Sequence, residues 1–162
     1  MKIKSKELKS LVKEACLEAR EIIVTDNDYA YLDLNWVENK AYKGYKNWLS
    51  IFDFGRGINN SDWKSNFDCE DLSNCFKMYL KLLHAQANPH TTTDKLKGKA
   101  TNESDTQSIL AGTIAYKNSA ISAHSINVFI DPNNEMKFFE PMYGKFIKLS
   151  KEERDSIWYV NF

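Results

Sequence analysis

The 162-residue chain sets 22 lysines and arginines against 22 aspartates and glutamates, and its only basic run is MKIKSKELK at the start; a surface built to neutralise a phosphate backbone is excluded, and no nucleic-acid partner is expected. The length suits one compact domain, residues 1–162. No segment approaches the roughly 18 apolar residues of a membrane span, and no apolar core precedes a small-residue cleavage site, so no membrane partner and a cytoplasmic location are expected.

Residues 5–23 place Leu8, Leu11, Val12, Ala15, Ala19, Ile22 and Ile23 at helical spacing, with Lys and Glu on the other face. This predicts an amphipathic N-terminal helix within residues 1–25. Cys16 lies beside its apolar stripe and reads as core filler. With Cys69 and Cys75 it makes an odd set of three, so reduced thiols are expected rather than a disulfide framework.

From Tyr29 to Phe54 eight aromatic residues are interleaved with polar ones, a pattern that serves packing better than a groove. GRGINNSDWKSN, residues 55–66, reads as a loop, and GRG alone does not make a phosphate loop. Leu72, Cys75, Phe76, Tyr79, Leu80 and Leu83 then repeat at three-four spacing, which predicts a buried central helix over 69–84. Asp68 is its expected N-cap and Cys69 its first residue.

Residues 86–107 are polar and are expected to form a surface loop of about 20 residues, the kind that serves as a lid or binding segment. HTT at 90–92 lacks the second copy that a phosphodiesterase motif needs. Five short runs rich in β-branched and aromatic residues follow, at 109–117, 122–131, 135–141, 145–149 and 157–162. They predict an antiparallel sheet over 109–162 and, with the helical first half, an α+β fold.

Alternation puts His124 on a face with Ile126, Val128 and Ile130, and Glu140 on a face with Met136 and Phe138. If the intervening loop holds an odd number of unpaired residues, His124 and Glu140 share a face and come within reach of an imidazole–carboxylate bond; an even number separates them. Such a pair is also a satisfied element of a core. Cys69 tilts the balance, because a thiol at a helix N-terminus meets the positive end of the dipole, and a neighbouring imidazole can activate it. Asp68 and Glu70 oppose that effect unless they point away or bind a cation. Cys75 fits the packing stripe.

FDCEDLSNCF resembles the F-D-C-D-D-[FL]-[AS] signature of a group of papain-like cysteine peptidases that includes the catalytic domain of Marasmius oreades agglutinin and small bacterial and phage relatives. AHSINVFID resembles that group's [GA]-H-[AS]-x-N strand, and MKFFEP its strand ending in Glu-Pro. The resemblance covers about residues 45–162. It implies a papain-like (NlpC/transglutaminase-like) fold with a nucleophile helix packed on an antiparallel β-sheet. It also implies Cys69 as nucleophile, His124 as base and Glu140 as orienting acid, with Asn127 matching an asparagine of unassigned role. The group's usual oxyanion glutamine is missing before Cys69, and Asn66, with Asn59 and Asn60, is a candidate replacement. No cofactor is required; the resemblance adds calcium as an option, with Glu70 and Asp71 as candidate ligands, although Glu70 replaces the more usual aspartate.

The leading expectation is therefore a cysteine hydrolase, a peptidase attacking an amide carbonyl of a protein or peptide. The alternative is a catalytically silent domain of the same fold that binds a host protein partner. A metal site of Cys69, Cys75 and His124 ranks far below both, because its lone C-x5-C lacks paired zinc spacing. The sequence gives no oligomeric state.

Overall fold

The computed structural model describes residues 2–52, 67–87, 108–119 and 122–162. The expected loop at 55–66, and residues 88–107 of the expected loop at 86–107 with its HTT run, lie outside the described residues; Gln86 and Ala87 are helical instead.

The chain opens with β1 (Lys2–Lys4) and α1 (Ser5–Ala15), then β2 (Glu21–Ile23) and β3 (Asp28–Ala30). The first helix is thus shorter than its apolar spacing predicts. It stops at Cys16, whose N–H still bonds Val12 O, and the peptide N–H groups of Arg20 and Glu21 turn to Trp158 O. The run Ile22-Ile23-Val24-Thr25 explains the break, since β-branched side chains crowd a helix and suit a strand.

Next comes a helical stretch made of α2 (Leu34–Trp36), a π turn (Val37–Ala41) and α3 (Tyr42–Ile51). Asp33 caps its start by accepting from the N–H groups of Asn35 and Trp36. The long helix α4 (Cys69–Ala87) follows. The last part contains β4 (Ser108–Ile109), β5 (Ala111–Tyr116), β6 (His124–Ile130), β7 (Met136–Glu140), β8 (Lys145–Ile147), the short α5 (Lys151–Asp155) and β9 (Tyr159–Asn161).

Two sheets form among the described residues. One has six strands in the order β2-β9-β5-β6-β7-β8, and the other has three in the order β1-β3-β4. The α+β class stands, and β5 to β9 pair antiparallel as expected. The sheet is wider than residues 109–162, because β2 joins β9 in parallel at one edge. Ile109 belongs to the smaller sheet, where β4 pairs with β3.

Both faces of the large sheet are covered. Ile126, Val128, Ile130 and Phe138 share a core with Leu8 and Val12 of α1. Phe129 and Phe139 share a second core with Tyr45 of α3 and with Leu72, Phe76 and Leu80 of α4. Burial on both faces is why β6 reads IxVFI rather than as a strict alternation. Each fully buried aliphatic or aromatic side chain contributes roughly 1.5–3 kcal/mol. Tyr29 and Tyr45 are buried, so packing accounts for these aromatics.

Candidate functional site, a cysteine-histidine-glutamate cluster

The loop between β6 and β7 sets the geometry. Asp131 N–H donates to Glu135 O, and the Asp131 carboxylate accepts from the N–H groups of Asn133 and Glu135. Three residues, 132–134, remain unpaired, and Asn134 takes the left-handed conformation with φ 64°. The odd count gives the register Asn127↔Phe139 and Val128↔Phe138. His124 and Glu140 consequently share a face and lie diagonal to each other. Their Nε2 and Oε2 atoms are 2.6 Å apart, with both side chains buried.

Glu140 is held from its other oxygen as well, since Oε1 accepts from Met142 N–H. The turn behind it is anchored by Tyr42 of α3, whose hydroxyl donates to Pro141 O at 2.7 Å. Tyr116, opposite His124 on β5, sets its ring at 64° to the imidazole with centroids 5.7 Å apart.

Cys69 is the first residue of α4 and is half-buried. Asp68 caps the helix: its carboxylate accepts from Glu70 N–H, while the Asp71 carboxylate accepts from Asp68 N–H. This reciprocal pair satisfies two first-turn donors in the manner of a capping box. Cys69 also acts on His124. Burial alone would disfavour the imidazolium and is the largest single influence; hydrogen bonding to Cys69 and Glu140, with attraction to both, outweighs it and lifts the His124 pKa to about 9. Nε2 is engaged by Glu140, and the buried Nδ1 has no hydrogen-bond partner among the described residues. Thiol, imidazole and carboxylate thus form one electrostatically coupled cluster around the ring.

The other thiols are dull by comparison. Cys16 is buried with Sγ 3.7 Å from Met136 Sδ, and burial pushes its pKa up to about 11. Burial, with the charge of Asp71, raises Cys75 as well. Both are poor thiolates.

Asn66, like Asn59 and Asn60, lies outside the described residues. Glu70 is exposed and Asp71 is occupied with the helix cap, and no group of three or more His, Cys, Asp or Glu able to hold a metal occurs among the described residues. A calcium ion takes six to eight oxygens, more than Glu70 and Asp71 supply by themselves.

The sequence reading missed Ser73, Ser125 and the part played by Asn127. Ser73 lies one turn below Cys69, and its hydroxyl is 2.9 Å from that of Ser125. Asn127 donates through Nδ2 to Ser73 O at 2.8 Å and to Gly112 O at 3.2 Å. No sequence signal marks Ser73, whose full burial within the apolar helical stripe is seen only in the fold.

No family model matches the chain, and no curated protein does. Solved structures do. One, titled as a PSL1a-E64 complex, superposes with a TM-score of 0.63 at 19% identity and covers 99% of this chain and 51% of its own. Another, the Polyporus squamosus lectin bound to the epitope Neu5Aca2-6Galb1-4GlcNAc, does so with a TM-score of 0.63 at 18% identity, covering 99% of this chain and 49% of its own. At this identity the likeness is one of fold, and the chain spans about half the length of these structures.

These likenesses correct the functional expectation. The structures matched over nearly the whole chain are of a lectin, one holding a sialylated trisaccharide. The cysteine-peptidase and hydrolase reading, with its silent protein-binding alternative, is withdrawn. The physical reason is that a nucleophile with its base describes how an atom is activated and not which bond or ligand it meets, and one fold serves many functions. Nothing in the comparisons points to a protein or peptide partner. Separately, no helix among the described residues is long and apolar enough to cross a membrane.

Proposed function

We propose that this chain is a lectin-related α+β domain whose Cys69, His124 and Glu140 form a nucleophilic thiol centre able to capture an electrophilic ligand. The observation that carries this reading is the buried imidazole fixed by Glu140 at 2.6 Å, with its protonated form favoured by both Glu140 and the thiol at the start of α4. A helix that begins with the cysteine and packs on strands bearing histidine and glutamate also supports a papain-like architecture and kinship with the agglutinin group. That kinship concerns arrangement and not peptidase activity.

The chemistry follows from the groups present. The Cys69 sulfur is the nucleophile and the protonated His124 ring the proton donor. Attack on an epoxide such as E64, the compound named with one related structure, forms a C–S bond and breaks a C–O bond, and the released oxygen takes its proton from His124. Glu140 holds the ring in place throughout.

The test is alkylation by iodoacetamide and by E64, followed residue by residue with mass spectrometry. Cys69 should be modified at pH 6 at least about tenfold faster than Cys16 or Cys75, and His124→Ala should abolish the contrast. Equal labelling of the three thiols, indifferent to the histidine, would sink the reading.

A second reading rests on the trisaccharide of the other related structure: the chain takes part in recognition of sialylated glycans. Titration calorimetry with Neu5Aca2-6Galb1-4GlcNAc checks it, and no heat of binding at millimolar glycan would remove it.

A further inference from the structure

Asn127 is wholly inaccessible to solvent, as is Ser73. Its two N–H groups tie three segments together, bonding Ser73 O on α4 and Gly112 O on β5 from a position on β6. Ser73 is four residues after Cys69, so it sits directly below the thiol on the same face of the helix, its N–H turned to Cys69 O in the helical pattern. The other link between these elements is the Ser73–Ser125 hydroxyl contact, and Ser125 is the neighbour of His124. Two polar bonds therefore join the first two turns of α4 to the strand that carries the base. Apolar packing around Phe76, Phe129 and Phe139 is non-directional and leaves the helix free to slide or roll by fractions of an ångström. Directional bonds to a helix carbonyl remove that freedom.

Resting on the thiol-centre reading above, we propose that Asn127 is a positioning residue that sets the height and roll of α4 on the sheet and so brings Cys69 to His124. It does not touch the reacting atoms. The buried Oδ1 of Asn127 has no hydrogen-bond partner, an arrangement whose cost is tolerated when the amide's N–H groups serve a purpose the packing cannot supply.

The experiment is a double-mutant cycle in the full chain, with Asn127→Leu and His124→Ala made singly and together, reading the rate of Cys69 alkylation by iodoacetamide at pH 6. A misplacement of about 1 Å costs up to roughly 100-fold in such a reaction. Asn127→Leu should slow Cys69 by about tenfold or more where His124 is present and by less than about twofold where it is alanine, with Cys75 unchanged in both. Equal slowing in both backgrounds, or none in either, overturns the proposal, because a residue that merely stabilises the fold acts regardless of the base. If His124→Ala by itself leaves Cys69 unaffected, the thiol-centre reading fails and the proposal falls with it, an outcome distinct from the first. Should the leucine variant not fold, Asn127→Ser, smaller and still able to donate once, is read in the same cycle.

Discussion

His124 and Glu140 meet diagonally across β6 and β7, Nε2 to Oε2 at 2.6 Å, in a buried site. The carboxylate therefore does two things at once. It holds the imidazole's tautomer and orientation, and it shares with Cys69 the work of keeping the ring protonated against burial.

Glu140→Gln separates these roles. The amide can still bond the ring, but the charge is gone while the burial remains. The His124 pKa should fall from about 9 towards its ordinary value near 6.5, the influence of Cys69 remaining. Titration of the ring by NMR reads this directly, and a value unchanged from wild type would mean that Glu140 contributes no charge effect.

The same elevation makes stability depend on pH. Because the folded-state pKa of His124 lies above its unfolded value, its contribution is fully present below about pH 6.5 and is lost as pH rises through about 9. Urea unfolding of wild type and His124→Gln should differ by roughly 2–3 kcal/mol more at pH 6 than at pH 10. A constant difference across that range would contradict the assignment.

Asp68 is predicted to matter through backbone geometry. Its carboxylate accepts Glu70 N–H at the start of α4, and Asp68→Ala should lower stability by about 1 kcal/mol, with Asp68→Ser restoring most of it. Thermal unfolding measures both. A neutral alanine variant would show that the cap is idle.

Gly144 marks the turn behind the carboxylate. It has φ +70°, and a Cβ there would clash with the Tyr42 ring. Gly144→Ala adds left-handed strain to a clash with a ring that also bonds Pro141 O, so a loss of about 2–4 kcal/mol is expected. Slower Cys69 alkylation should accompany it, since Glu140 sits at the head of that turn.

Much of this arrangement was legible in the linear chain. The Asp68 cap, the first-residue position of Cys69 and the β6–β7 pairing all follow from nearest-neighbour chemistry, so spacing alone exposed them. The true end of α1 was harder, because Ile22 and Ile23 satisfy helical spacing and strand propensity alike. The choice was made when β9 offered β2 a partner.

Only tertiary structure decided the rest. Helical and strand periods predict which residues share a face, but not which element covers it. The even positions of β6 pack towards α1 and the odd ones towards α4, and His124, an even position, comes under the influence of Cys69 at the strand's first residue. Asn127 and Ser73 are silent as letters, since a buried polar side chain acquires meaning from the carbonyl or hydroxyl that the fold brings to it. What sequence by itself determined was the set of local conformations and the presence of a thiol, an imidazole and a carboxylate; their convergence required long-range packing, whose energy is collective and leaves no signature at any one position.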